Sequence, residues 1–169
     1  GGNDLIVGAG GDDVLEGGDG WDEIYGDAYS FHYPGVAGAD VLRGGDGYDG
    51  LYGGGGDDTL FGDGGIDWVF GQDGDDVLIG GAGADYLIGG AGVDMASYAG
   101  SLEAVTFDLA AGTASGGDAT GDVLTSIEIL TGSANGDTLF GDGGANTLDG
   151  AGGNDLIVGA GGDDVLEGG

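Results

Sequence analysis

Aspartate returns every nine residues along most of this chain, set among glycines and followed two positions later by an apolar side chain: Asp4, Asp13, Asp22, Asp40, Asp49, Asp58, Asp67, Asp76, Asp85 and Asp94, then Asp137, Asp155 and Asp164. Carboxylates are hard oxygen donors, and the chain has almost nothing positive to pair them with. It carries 32 acidic residues against one basic residue, Arg43, for a net charge of −31. Such a balance excludes nucleic acid and anionic membranes as partners and invites cations. It also leaves little for covalent chemistry. With one histidine, no cysteine and no lysine, the usual nucleophile and base pairings cannot be assembled, and neither H-E-x-x-H nor G-x-S-x-G occurs. The string GDGYDG (45–50) matches G-x-G-x-x-G but runs into a strand instead of a helix that could receive phosphate. Paired carboxylates can hydrolyse glycosides, but here metal binding explains them better, and the chain reads as no enzyme. His32 has no histidine partner and makes no transition-metal site.

The elements that must position these carboxylates follow from the same period. The clean copies are GGDGWDEIY (17–25), GGDGYDGLY (44–52), GGGGDDTLF (53–61), GQDGDDVLI (71–79) and GGAGADYLI (80–88), sharing G-G-x-G-x-D-x-U-x with U apolar. Looser copies fill 8–16, 35–43, 62–70, 89–97 and 132–167. The first six positions, rich in glycine and aspartate, suit a loop of tight turns. The last three suit a short strand whose middle side chain points opposite to its neighbours. Those middle residues, Ile6, Leu15, Ile24, Leu42, Leu51, Leu60, Val69, Leu78 and Leu87, form an aliphatic ladder one residue thick per strand. The chain has 48 glycines, so a conventional packed core is not expected, yet 40% hydrophobic residues exceed what a permanently disordered chain carries. No apolar run is long enough to span a membrane. Nothing resembles a signal peptide, so a processed piece or segment of a longer protein is expected.

This in-phase nonapeptide resembles that of the repeats-in-toxin (RTX) family of calcium-binding proteins. The resemblance implies an all-β fold, a right-handed parallel β-roll or β-solenoid with 18-residue turns, each nonapeptide making half a turn. In such a roll, carboxylates eighteen apart stack at about 4.8 Å. Alone they repel. With a divalent cation between them and loop carbonyls turned inward, they form the all-oxygen environment that Ca²⁺ prefers over the stricter octahedron of Mg²⁺. The expected pairs are Asp4/Asp22, Asp22/Asp40, Asp40/Asp58, Asp58/Asp76 and Asp76/Asp94 on one edge, with Asp49/Asp67 and Asp67/Asp85 on the other. Asp137/Asp155 adds one more, so multiple calcium ions are expected. Asp12, Asp57, Asp75 and Asp163 add to the local field.

Two interruptions divide the chain. Residues 1–97 read as nonapeptide roll with an irregular repeat at 26–34, GDAYSFHYP, where Phe31 replaces aspartate and two sites should be lost or altered. Tyr33 falls on the core position, so the turn is expected to survive, and Tyr29, Phe31, His32 and Tyr33 offer either a contact loop or local packing. Residues 98–131 read as a longer-coil insert in which Val105, Phe107 and Leu109 alternate, with further strand material at Leu124, Ile127, Ile129 and Leu130. Residues 132–169 resume the roll, with Asn146 weakening its pairing to Asp164. Outward apolar positions, including Tyr52, Trp68, Phe70 and Tyr86, suggest lateral association.

Residues 152–169 repeat residues 1–18 without a difference, at an offset of 151. The chain therefore reads as one unit of a tandem repeat, of eight turns if the insert supplies three half-turns. A solenoid extends indefinitely because each turn contacts only its neighbours, and the ends here show no distinct capping repeat. The leading functional reading is a calcium-dependent structural module of a long secreted protein, self-associating end to end into an extracellular fibre, surface layer or adhesin stalk. Alternatives are the folding and secretion module of an exported enzyme or toxin, and a polysaccharide-binding module. The resemblance implies bacterial type I secretion, with folding outside the cell.

Overall fold

The computed structural model describes residues 1–27 and 37–169. Its strands are β1 (Leu5–Ala9), β2 (Val14–Gly20), β3 (Glu23–Asp27), β4 (Val41–Gly47), β5 (Gly50–Gly55) and β6 (Thr59–Gly65). They continue as β7 (Trp68–Asp73), β8 (Val77–Gly83), β9 (Tyr86–Ala91), β10 (Met95–Ser97), β11 (Thr106–Asp108) and β12 (Thr113–Ser115). The last six are β13 (Val123–Thr125), β14 (Ile129–Thr131), β15 (Thr138–Phe140), β16 (Thr147–Asp149), β17 (Leu156–Val158) and β18 (Val165–Glu167). They form two sheets, a ten-stranded one ordered β1-β3-β5-β7-β9-β13-β12-β11-β15-β17 and an eight-stranded one ordered β2-β4-β6-β8-β10-β14-β16-β18. Successive nonapeptides alternate between the sheets, and pairing within each is parallel outside the insert. This is a β-roll.

The core is the expected ladder. Ile24, Leu51, Val69 and Leu87 face Leu42, Leu60 and Leu78 between the sheets, all fully buried, while Ile6 and Leu15 in the first turn pack against them only partly covered. Phe107, Leu130, Leu139 and Leu148 extend it through the second half.

At the irregular repeat the outcome differs from expectation. Leu5 pairs with Glu23, eighteen residues on, but Val14 pairs with Val41 and Glu23 with Gly50, each twenty-seven residues on. The register therefore lengthens by nine residues in both sheets, so the expected eighteen-residue step is not kept across the irregular repeat. From β4 onward the step returns to eighteen. A physical reason lies in the loop: the backbone N–H of Asp13 donates to the carboxylate of Asp40 at 2.7 Å, an acceptor Phe31 cannot supply. Tyr29, Phe31, His32 and Tyr33, with the contact-loop reading attached to them, lie outside the described residues.

The insert also takes another form. Instead of wider coils it forms an antiparallel excursion within the ten-stranded sheet: β13 continues parallel to β9, β12 runs antiparallel to both β13 and β11, and β11 resumes parallel to β15. The eight-stranded sheet gains only β14 across the same stretch. Val105, Phe107, Leu124, Ile127 and Leu130 are buried, as their apolar pattern predicts. Since each turn contributes one strand to the eight-stranded sheet, β2 and β18 stand seven turns apart, not eight.

Candidate metal centre

Each coil passes from one sheet to the other through the glycine-rich loop, and the loops stack into two edges. On the edge entering the ten-stranded sheet, each aspartate accepts the backbone N–H of its counterpart one turn earlier. The N–H of Asp4 donates to Asp22 Oδ1 (2.8 Å), Asp22 to Asp49 (2.8 Å), Asp49 to Asp67 (2.8 Å), Asp67 to Asp85 (2.9 Å) and Asp85 to Asp122 (2.8 Å). The opposite edge runs Asp13 to Asp40, Asp40 to Asp58, Asp58 to Asp76, Asp76 to Asp94 and Asp94 to Glu128. Beyond the insert, Asp137 donates to Asp155 and Asn146 to Asp164. The expected pair Asp22/Asp40 is thus replaced by Asp22/Asp49 and Asp13/Asp40, following the twenty-seven-residue step. Asp4/Asp22 therefore shares its edge with Asp49, Asp67 and Asp85 and not with Asp40, Asp58, Asp76 and Asp94 as expected, while the other pairs form as anticipated.

From the second member of each column onward one carboxylate oxygen accepts the ladder hydrogen bond, and in most turns the second accepts nothing. Oδ2 of Asp13, Asp22, Asp40, Asp49, Asp58, Asp67, Asp76, Asp85, Asp94 and Asp155 is buried without a hydrogen-bond partner. Buried polar atoms almost always find a partner, and an uncompensated buried carboxylate is costly. These oxygens share one environment. A Cβ placed on Gly62 would lie 2.5 Å from the carbonyl oxygen of Gly80 and 2.6 Å from Asp67 Oδ2, and one on Gly44 would meet Asp49 Oδ2 at 2.6 Å and the Gly62 carbonyl at 2.8 Å. Gly8, Asp13 and Gly26 repeat the arrangement at 2.5 and 2.6 Å. Only glycine leaves this cradle open, and what converges on it is oxygen from adjacent turns with no donor.

The electrostatics agree. Burial, reinforced by neighbouring carboxylates, pushes Asp58 and Asp67 up to about 7 and Asp76 to about 6, against the ladder hydrogen bond that lowers each. Burial likewise raises Asp40, Asp49, Asp85 and Asp94. Without a counter-cation these columns resist ionisation. Among the described residues no three acidic or histidine side chains converge, so further ligands would be backbone carbonyls. A donor set of carboxylate and carbonyl oxygen fits a hard cation of calcium's flexibility and suits no thiophilic metal.

At three positions the same oxygen is satisfied from within the protein. Asp122 Oδ2 accepts the buried Tyr98 hydroxyl at 2.7 Å. Asp137 takes Val105 N–H, Ser133 N–H and the Ser133 hydroxyl, and Asn146 Oδ1 takes Asp142 N–H. Asp122 and Glu128 occupy column positions that the nine-residue count misses. Their signal is local: Asp122-Val123-Leu124 repeats the D-V-L of Asp13, Asp40 and Asp76, and Glu128-Ile129-Leu130 is its glutamate version.

A two-sheet parallel roll edged by columns of half-satisfied carboxylates defines a class of cation-binding solenoid. The model of the RTX calcium-binding nonapeptide repeat matches residues 1–28, 34–69, 61–96 and 127–169, so the chain belongs to that family and is a calcium-binding repeat module. No curated protein matches it closely enough to count as a relative.

Proposed function

We propose that this module is a calcium-dependent structural unit of a long, secreted tandem-repeat protein, whose units stack into an extracellular fibre, surface layer or adhesin stalk. Calcium would be held by Asp4, Asp13, Asp22, Asp40, Asp49, Asp58, Asp67, Asp76, Asp85, Asp94, Asp155 and Asp164 with loop carbonyls, and Asp137, whose two oxygens already accept hydrogen bonds, would hold it least well. The ion supplies charge neutralisation, and the chain supplies the stacked oxygens. Nonapeptide blocks 1–97 and 132–169 then act as metal-dependent rods joined through 98–131. The observation that carries the stacking is phase: β1 and β17, built from identical sequence, lie in the same sheet, as do β2 and β18. A duplicated segment that returns to the same side after whole turns continues the coil in register.

Family membership favours type I export with folding outside the cell, and the columns give that route a physical basis. Repelling carboxylates keep the chain open where calcium is scarce, and binding supplies folding free energy where it is abundant. Electron microscopy of purified protein tests the reading. Filaments that form in millimolar calcium and dissolve in EGTA are expected; dispersed particles in calcium contradict the fibre.

A further inference from the structure

The outward face of the ten-stranded sheet carries a row of side chains in register, Leu5, Glu23, Gly50, Trp68 and Tyr86. Gly50 contributes no side chain to that row and leaves a hollow between Glu23 and Trp68 that the Tyr52 ring partly covers, 3.4 Å from where a Gly50 Cβ would stand. The resulting cleft has a volume of about 460 Å³ and is lined by Trp21, Tyr48, Tyr52, Trp68, Glu23 and Asp4, among others. Its walls are built. Trp68 stacks on Tyr86 at 4.5 Å and on Phe70 at 6.0 Å yet stays exposed in part, and its indole N–H donates to the Tyr48 hydroxyl at 2.9 Å. The rings of Trp21 and Tyr48 stand at 87° with centroids 6.1 Å apart. Glu23 is held by the Tyr25 hydroxyl at 2.6 Å.

We propose that this cleft binds a small organic cation of the quaternary ammonium type, held against the ring faces of Trp21, Tyr48 and Trp68 beside the Glu23 carboxylate. Ring faces at right angles present negative quadrupole density to one corner, the arrangement that attracts a soft cation. The protein already uses this chemistry on its other sheet: its one basic side chain, Arg43, lies 3.8 Å over the Phe61 ring with Asp63 3.3 Å away. The ten-stranded sheet offers rings and a carboxylate with no basic residue of its own to fill them. A net charge of −31 repels anions. A primary ammonium is compact and strongly hydrated and favours direct carboxylate contact, whereas a quaternary ammonium asks for no hydrogen bond and presents a soft charge to the rings. Asp4, Asp22 and Asp49 of one column also line the cleft, and calcium held by them leaves the ring walls to the organic cation.

Trp21 and Trp68 are the only tryptophans, so intrinsic fluorescence reports on this cleft alone. The experiment titrates tetramethylammonium into the full chain at millimolar calcium, with circular dichroism verifying the β fold first, so that loss of folding and loss of binding read separately. A saturable emission change is expected, with half-saturation roughly tenfold weaker in Glu23→Gln and Trp21→Ala. Tyr48→Ala, which removes one ring wall at an exposed position, should keep the fold and weaken the response as far. A response no larger than matched sodium chloride gives, one unchanged in folded Tyr48→Ala, or saturation by a neutral oligosaccharide in place of the cation would overturn the proposal.

Discussion

A single aspartate in this roll has two tasks: one oxygen ties its turn to the preceding one, and the other waits beside a glycine carbonyl for a cation. The raised values of Asp58, Asp67 and Asp76 make this measurable. Their folded-state pKa lies above the unfolded value of 3.8, so the calcium-free roll binds protons more tightly than the open chain does. Stability of the metal-free form is therefore present in full below about pH 4 and lost as pH rises through 6 to 7. Thermal melts in EGTA should show it, and Asp67→Asn, which keeps an acceptor for the Asp49 N–H while deleting a charge, should raise the metal-free midpoint at pH 7. In calcium the slope reverses, because the ion requires the ionised form and protons compete with it. A metal-free roll that gains stability with pH would refute the electrostatic account.

At the scale of elements, the insert differs from the nonapeptide turns in how it fills its carboxylates. Tyr98, its pKa driven well up chiefly by burial, remains a hydroxyl and closes Asp122 where other turns leave an oxygen open. Tyr98→Phe should cost about 1–3 kcal/mol by orphaning that oxygen. Calcium titration followed by denaturant unfolding should return the same loss with and without the ion. A loss confined to the calcium form would mean that Tyr98 serves a metal site after all. The contrast also shows how far the sequence carries. The ladder from Ile24 to Leu87 and the column aspartates are legible because period alone fixes them. The twenty-seven-residue step from Val14 to Val41 is not, since the irregular stretch keeps the length of nine. It shows only in long-range pairing, the Asp13 to Asp40 bond included, that no local pattern announces. Asp122 and Glu128 escaped because an insert of irregular length breaks the count, although their D-x-U surroundings persist.

For the whole molecule, the two sheets grow at different rates. Across the insert the ten-stranded sheet gains two strands that the eight-stranded sheet lacks, a difference of about 10 Å at ordinary strand spacing. The roll must therefore turn toward the eight-stranded side, and stacked units would trace a curved or superhelical path. The outward aromatics follow the same axis: Tyr25, Tyr52 and Phe70 stack at 4.6 and 4.9 Å, ring upon ring along successive turns. Much of the apolar surface that suggested lateral association is thus spent within the chain, while Trp21, Tyr48 and Trp68 stay exposed.

Everything above depends on cations filling the glycine cradles. Anomalous diffraction from crystals grown in calcium locates them directly. The account predicts peaks along both edges of residues 1–97, each beside an Asp Oδ2 and a glycine carbonyl of the next turn, with no peak between Asp122 and Tyr98. An intact roll whose cradles hold no anomalous scatterer, or whose ions sit only on outward carboxylates, would contradict it.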